Sequence, residues 1–233
     1  MLKVDLHIHS IHSGHAYGTI YDIINEAKRK KMKIIAITDH GPKIANGTQM
    51  NHFTTGHRKP ETSFTLLWGV EANPYKINGE IDIIPKYQNR LDIILIGLHT
   101  LPCIKEFSKE KNTKMMINAI HKNRIHILSH PNLDYWNKFD VEKVMLEAIK
   151  CNILLEINLS YLGGNKTNLE SFKRIVDITR DRGRKLIVNS DAHFIHEIGD
   201  DTILRLHWKA LGMTESIMMN NYPEELLAFL KSK

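Results

Sequence analysis

Near its N-terminus the chain reads Asp5-Leu6-His7-Ile8-His9. In an extended strand, side chains two residues apart leave the same face. The spacing therefore predicts that His7 and His9 face one point while Leu6 and Ile8 face the other way. Two neutral imidazoles converging on one point make a metal-ligand arrangement. His15, in the following loop, is a third candidate.

The same chemistry recurs at the ends of other apolar, β-branched runs. One ends in Asp39-His40, another in Gly69-Val70-Glu71-Ala72-Asn73, a third in Gly97-Leu98-His99. Two more end in Ser129-His130-Pro131 and in Ser190-Asp191-Ala192-His193, where Asp191 and His193 repeat the two-residue spacing. A lone histidine at a strand end is usually just hydrogen-bonded or partly exposed. Six such ends out of seven are not explained that way, and imidazoles and carboxylates buried together without partners would cost several kcal/mol. Bound metal ions remove that cost. Nine candidates, His7, His9, His15, His40, Glu71, His99, His130, Asp191 and His193, are too many for one ion and enough for two or three. None is a thiolate, which argues against a structural zinc-finger site, and such a set suits zinc, iron or manganese with open positions for water and substrate.

These residues need strands to hold them. Seven runs fit: Val4–His9, Ile34–Thr38, Thr65–Glu71, Asp92–Leu98, Ile125–Ser129, Ile153–Leu159 and Lys185–Asn189. Most are nearly continuous in apolar residues, as parallel strands covered on their outer face are. Helical patterns lie between them. Ile20, Ile23, Ile24 and Ala27 form a stripe behind a Thr19/Asp22 capping box, and Val141, Val144, Met145, Ala148 and Ile149 do so behind Asp140. Thr167 with Glu170 reads as another box, with Gly183 as a stop. Helices are also expected over Thr113–Lys122, His196–Leu211 and Pro223–Leu230. Alternating strands and helices predict an α/β fold with a closed or nearly closed parallel barrel, an open doubly wound sheet being the alternative. In a parallel barrel the C-terminal strand ends surround the active site. The segment from Pro42 to Ser63 lacks periodicity and is expected to be a long loop over one end.

The 233 residues are enough for one sizeable core. Net charge is +6, and the one dense basic run, Lys28-Arg29-Lys30-Lys31, closes a helical pattern where cations complement the helix dipole. Aromatic residues make up 7% of the chain, with no basic and aromatic stripe of the kind that tracks a nucleic-acid backbone, so a nucleic-acid partner is not expected. The two cysteines, Cys103 and Cys151, form no paired motif, and Cys151 is expected in the core. No apolar run of about 18 residues suggests a membrane span. The expectation is a soluble, cytoplasmic protein with no membrane partner.

The motif series Asp5-Leu6-His7-Ile8-His9, Thr38-Asp39-His40, Gly69-Val70-Glu71-Ala72-Asn73, His99, Ser129-His130-Pro131 and Ser190-Asp191-Ala192-His193 resembles that of the PHP (polymerase and histidinol phosphatase) family, from Val4 to His193. The spacing and the His15-Ala16-Tyr17 element are most similar to the small stand-alone, YcdX-like phosphatases. The resemblance implies a distorted seven-stranded, TIM-like (βα)7 barrel, one domain over residues 1–233, and three divalent metal ions, commonly zinc, with manganese or iron as alternatives. It assigns His7, His9, Glu71 and Asp191 to one ion. Glu71, His99 and His130 go to a second, bridged by Glu71, and His15, His40 and His193 to the third. Glu71, Asp191 and His193 form the catalytic set.

The implied activity is hydrolysis of a phosphate monoester on a small phosphorylated substrate, by a metal-activated hydroxide attacking in line. Alternatives are a phosphodiesterase or exonuclease acting on nucleic acid, and a metal-binding protein without turnover. A histidinol-phosphate phosphatase is a narrower option, with chain length mildly against it. Thr100-Leu101 follows His99 where that branch often has an acidic residue. His12, His52, His57 and His196 are expected at the surface or substrate rim. Asp5 and Asp39 are expected to orient imidazoles, and Glu156 and Asn158 to support ligands by hydrogen bonding. Lys43 and Arg58 lie in the long loop and are expected to stay solvated rather than to reach the phosphate.

Overall fold

Seven short strands rich in isoleucine and leucine pair in parallel, each with the next in sequence: β1 (Val4–Ile8), β2 (Ile34–Ile37), β3 (Thr65–Ala72), β4 (Ile93–Ile96), β5 (Ile127–Leu128), β6 (Leu154–Asn158) and β7 (Ile187–Asn189). The structure, a computed structural model, describes residues 1–102, 107–132, 139–164 and 168–233. Sequential order excludes the doubly wound alternative. The sheet curls until its edges meet: His9 N–H donates to the Ala192 carbonyl at 2.9 Å, and Leu6 N–H to the Asn189 side-chain oxygen at 2.9 Å. The result is a nearly closed TIM-like barrel, as expected.

Helices α1 (Ile20–Arg29), α2 (Pro85–Gln88), α3 (Lys109–Lys122), α4 (Val141–Lys150), α5 (Leu159–Leu162), α6 (Leu169–Asp181), α7 (Thr202–Leu211) and α8 (Pro223–Lys231) complete the described elements. The Thr19/Asp22 capping box forms, with Thr19 N–H donating to Asp22 at 2.9 Å and Asp22 N–H to Thr19 Oγ1 at 3.2 Å. It opens α1, which buries Ile23, Ile24 and Ala27. Burying an isoleucine side chain contributes about 1.5–3 kcal/mol. Asp140 caps α4 as expected.

Three helical expectations shift. α6 is capped by Asn168, whose side chain accepts from Glu170 and Ser171, while Thr167 lies outside the described residues. α3 begins earlier than Thr113, because Ser108 caps it at Lys111. The pattern from His196 onward is not one helix. A 3-10 turn at Ile195–Glu197 is followed by Gly199 in a left-handed conformation (φ 66°), whose N–H donates to buried Asp5, and α7 starts only at Thr202. The Pro42–Ser63 loop contains two 3-10 turns, His52–Thr54 and Gly56–Arg58.

The core splits by strand face. Ile35, Ile37, Trp68, Val70, Ile94, Ile96, Leu155 and Val188 pack outward beneath the helices. Val4, Leu6, Ile34, Ala36, Leu67, Ile93, Leu95, Ile127, Leu154 and Ile187 fill the interior, joined by Leu226 and Leu230 of α8, which closes the N-terminal end. The apolar filling stops halfway up. Following the same interior rows with the two-residue period leads from Leu67 to Glu71, from Leu95 to His99, from Leu154 to Glu156 and from Ile187 to Asp191.

β1 departs from its expected alternation. Leu6 shares the interior face with Val4 instead of opposing His7. The pairing register slips between Asp5 and Ile8, where three steps on β1 match two on β2. This bulge transfers the interior face from the even positions to His7 and His9.

Candidate metal centre

All nine candidates converge at the C-terminal mouth of the barrel. Glu71 lies at the centre and its two oxygens serve different neighbours. Oε1 is 2.7 Å from His130 Nε2 and 3.5 Å from His99 Nε2. Oε2 is 2.8 Å from His40 Nδ1, 3.4 Å from His7 Nε2 and 3.7 Å from His9 Nε2. Asp191 Oδ1 is 3.0 Å from His9 Nε2 and 3.4 Å from His7 Nε2. At the solvent-facing corner, His15 Nε2 is 3.3 Å from His40 Nε2 and 3.0 Å from His193 Nε2.

Among the described residues four triplets of donor atoms lie close enough to share an ion: His121/Glu147/Cys151, on α3 and at the end of α4, and three at the mouth, His7/His9/Asp191, His40/Glu71/His99 and His9/His40/His193. His7/His9/Asp191 is part of one expected group, without its Glu71. In the other two at the mouth, His40 belongs both to Glu71 through Nδ1 and to the His15/His193 corner through Nε2.

The backbone is strained where it delivers two of these side chains. His130 (φ 30°) and Asp191 (φ 55°) both occupy the left-handed region, which costs a non-glycine residue about 1–3 kcal/mol. Each follows a serine at a strand end, and the strained residue redirects the chain over the mouth. Gly97 leaves the room that His130 and His99 need: a Cβ there would lie 2.8 Å from Ser129 Oγ, 2.9 Å from His130 Cε1 and 3.0 Å from His99 Cε1.

Buried partners fix the imidazoles from behind. Glu156 Oε1 is 2.9 Å from His7 Nδ1 and also accepts from Asn189, while Oε2 accepts from the His130 N–H and from Asn158. A carboxylate on Nδ1 leaves Nε2 free to ligate. Asn158 also donates to Asp191 at 3.0 Å. His9 Nδ1 is 2.9 Å from Ser13 Oγ, which donates to Asp39 Oδ1 at 2.6 Å. Asp39 thus reaches an imidazole through Ser13. Asp5 does not orient an imidazole; it holds Ser190 and Gly199 behind the loop that carries Asp191.

A relay absent from the sequence reading serves His99, whose Nδ1 is 2.6 Å from Asn73 Oδ1. Asn73 in turn donates through N–H and Nδ2 to buried Asp82 at 2.7 and 3.0 Å. The signal for Asp82 was a carboxylate set inside the apolar run Ile81-Asp82-Ile83-Ile84. Burial pushes its carboxyl up to about 6.

Electrostatics separate the site from an ordinary ion-pair network. Burial pushes the Glu71 carboxyl up, but His99, His7 and His130 together hold it well below the usual range. Burial, reinforced by His40, lowers His9 to about 3, and burial lowers His99 to about 3 despite Glu71, so both are neutral, the ligating form. His7 goes the other way, because Asp191, Glu156 and Glu71 outweigh its burial. Among the described residues, every ion-pair partner of Glu71, Asp191 and Glu156 is a histidine, and no Lys or Arg reaches them. Also among the described residues, His7 Nε2, His9 Nε2, His40 Nδ1, Glu71 Oε2 and Asp191 Oδ1 are buried with no partner in hydrogen-bond geometry. Atoms this close that do not bond one another converge on a shared point. Neutral imidazole nitrogens and carboxylate oxygens are the donor set divalent ions take, so the residues fit such ions.

The other histidines divide. His12 and His196 are exposed. His52 is not at the surface: it is buried, 3.1 Å from Asp39 Oδ2, with the His12 ring 4.3 Å away. Lys43 and Arg58 are exposed, and Lys43 Nζ sits 4.5 Å from the Tyr75 ring centre. Cys151 is half-buried at the end of α4 rather than in the core, and Cys103 lies outside the described residues. Tyr161, also unforeseen, places its ring 5.5 Å from that of His130. Among the described residues no helix is long and apolar enough to cross a membrane.

The PHP domain family model matches residues 5–182. The chain belongs to the PHP family. Its fold is shared by histidinol phosphate phosphatase from Lactococcus lactis subsp. lactis Il1403, a structure containing zinc, L-histidinol and phosphate, at 14% identity and TM-score 0.57, covering 91% of this chain and 94% of that one. It is also shared by a putative histidinol phosphatase from Listeria monocytogenes, at 14% identity and TM-score 0.58, covering 84% and 97%. A chain in the structure of archaeal ribonuclease P with mature tRNA matches at 14% identity and TM-score 0.62, covering 98% and 91%. At such identity these likenesses concern the fold.

Proposed function

We propose that this PHP protein is a metal-dependent phosphatase that hydrolyses a phosphate monoester at a trinuclear site, with residues 1–233 acting as one domain. The observation that carries the reading is the set of buried, converging donor atoms around Glu71 and Asp191, with no Lys or Arg among the described residues to balance the two carboxylates. Bound divalent ions would acidify a water and offset charge on the phosphoryl oxygens. His7, His9, Glu71 and Asp191 would hold one ion; Glu71, His99 and His130 a second; His15, His40 and His193 the third. Zinc suits this imidazole-rich set, and manganese or iron are accepted by the same donors.

The chain's own residues do the positioning. Glu71 divides its oxygens between two groups of imidazoles and so fixes their separation. Asp191, facing His7 and His9, is assigned to orient the attacking water. His15 is exposed and His193 half-buried, so this corner meets an incoming phosphate first. Placing nucleophile and phosphate side by side before reaction is the larger part of phosphoryl-transfer catalysis.

Elemental analysis of the purified protein, together with turnover of p-nitrophenyl phosphate and bis-p-nitrophenyl phosphate before and after chelation, tests the reading. Bound divalent metal and monoesterase activity lost on chelation are expected. Turnover confined to the diester would replace it with the phosphodiesterase reading, and a metal-saturated His40→Ala protein with near wild-type turnover would remove the third group.

A further inference from the structure

Three side chains of metal-ligating type also meet away from the mouth. His121 lies in the last turn of α3, Glu147 in the last turn of α4, and Cys151 caps α4. Helices of a βα barrel run back from the strand ends, so these helix C-termini lie at the end opposite the mouth. Lys233, which follows α8 at that end, donates to the Cys151 carbonyl at 2.6 Å. Glu147 and Cys151 are four residues apart and share one face of α4. His121 Nε2 is 3.0 Å from Glu147 Oε1, and His121 Nδ1 is 3.7 Å from Cys151 Sγ. One donor atom from each residue lies within 4.8 Å of the other two.

Imidazole nitrogen, carboxylate oxygen and thiolate sulfur are the donors that zinc takes. A tetrahedral ion bound at about 2.3 Å to sulfur and about 2.0 Å to nitrogen sets those two atoms about 3.5 Å apart. The Nδ1–Sγ separation is close to that edge. The His121 side chain is 52% exposed and that of Glu147 21%, so both can rotate to bring their donors onto one point. A thiolate and a carboxylate together supply two negative charges, which balance a divalent ion. The two helix C-termini add partial negative charge from their last carbonyls. The nearby cations are already engaged: Lys150 pairs with Glu147 Oε2 at 2.9 Å, and Lys233 holds the Cys151 carbonyl. Burial, then Glu147, keep the Cys151 thiol above its usual range, so a bound ion displaces its proton. An exposed His121–Glu147 ion pair would contribute little by itself and needs no thiol.

We propose that His121, Glu147 and Cys151 form a separate metal site for a thiophilic divalent ion such as zinc, with water or an outside ligand in the fourth position. The ion ties the C-terminus of α3 to that of α4. The site shares no residue with the mouth and does not depend on the phosphatase reading.

Cobalt distinguishes the two places. The nine candidates at the mouth offer only nitrogen and oxygen, so a thiolate-to-cobalt charge-transfer band reports a cysteine site alone. The full-length protein, stripped by chelation and dialysis and kept reduced with a phosphine, is titrated with cobalt(II) and followed in the near ultraviolet. The band is expected to saturate at one cobalt per chain and to be absent from Cys151→Ser. His121→Ala and Glu147→Gln should each need at least about tenfold more cobalt, since even a group that only supports a ligand is worth that much. Cys103→Ser should keep the full band, and added zinc should displace it from the wild-type protein. Absence of the band from wild-type protein, its survival in Cys151→Ser, or an unchanged titration in His121→Ala overturns the site. Each of these results leaves the centre at the mouth standing, because monoesterase activity and its loss on chelation are read separately.

Discussion

Glu156 tests how the centre is held. It is fully buried, touches no solvent, and its two oxygens accept from His7 Nδ1, Asn189, the His130 N–H and Asn158 at 2.8 to 3.2 Å. Glu156→Gln keeps the shape but turns one acceptor oxygen into a donor. If the new NH2 group faces His7, the imidazole becomes the acceptor at Nδ1 and its proton moves to Nε2, the atom that faces Glu71 and Asp191. If it faces the other way, it opposes the fixed His130 N–H and the strained turn that N–H anchors. Either arrangement disturbs a candidate ligand. Removing such a supporting group lowers metal affinity by about 10- to 100-fold, roughly 1.4–2.7 kcal/mol. Hydrogen bonds to a charged acceptor are worth about 1.5–3 kcal/mol each, so the metal-free protein loses stability too. The control is Asn220→Ala at the far end of the barrel, where Asn220 bonds the backbone of Val4 and Val188. Zinc affinity is read by competition with a chromogenic chelator, and stability by melting the metal-free proteins. Both variants should melt earlier, and only Glu156→Gln should bind zinc more weakly. Unchanged zinc affinity in Glu156→Gln, or equal losses in both variants, would refute the reasoning that Glu156 acts through His7 and His130.

Two further outcomes follow from groups elsewhere in the barrel. His126 is buried, with its Nδ1 accepting from the Ile94 N–H at 3.0 Å, and burial lowers it to about 3 from 6.5. Its folded pKa is depressed and the neutral form is the native one, so its contribution is complete above pH 6.5 and declines as pH falls toward 3. At pH 5 the loss is about 2 kcal/mol, and urea unfolding at pH 7 and pH 5 should show His126→Asn losing that much less than wild type over the interval. Tyr161→Phe removes a hydroxyl held protonated by burial and by Asp191, Glu71 and Glu156, beside the His130 ring. It is expected to lower kcat on p-nitrophenyl phosphate about tenfold at unchanged zinc content, and an unchanged kcat would remove Tyr161 from the site.

What the sequence disclosed was what depends on position along one strand. The barrel followed from seven apolar runs separated by helical stripes, and Glu71, His99 and Asp191 were picked out because they stand at the ends of those runs. The two-residue alternation within a strand gave the right face for His7 and His9 by a wrong route. Leu6 also points inward, and the two histidines reach the interior because the register slips within β1. A bulge leaves little trace in a strand such as β1, where every position on both faces is buried.

What stayed hidden depends on residues distant in sequence. His99 is oriented by Asn73, and Asn73 by Asp82. His9 is oriented by Ser13, and Ser13 by Asp39, with His52 folding back from the long loop onto the same carboxylate. In each chain the residue touching the imidazole is a small polar group, and the charge stands one step further back. This arrangement has a physical logic. A carboxylate placed directly behind every imidazole would add negative charge to a pocket that already gathers Glu71, Asp191 and Glu156 without a Lys or Arg among the described residues. Interposed serine and asparagine groups fix the ring while moving that charge away. Glu156 is the exception because it supports two candidate ligands at once, the ring of His7 and the backbone of His130. The centre should therefore be more sensitive to Glu156 than to Asp39 or Asp82, whose effects each pass through an intermediate hydrogen bond.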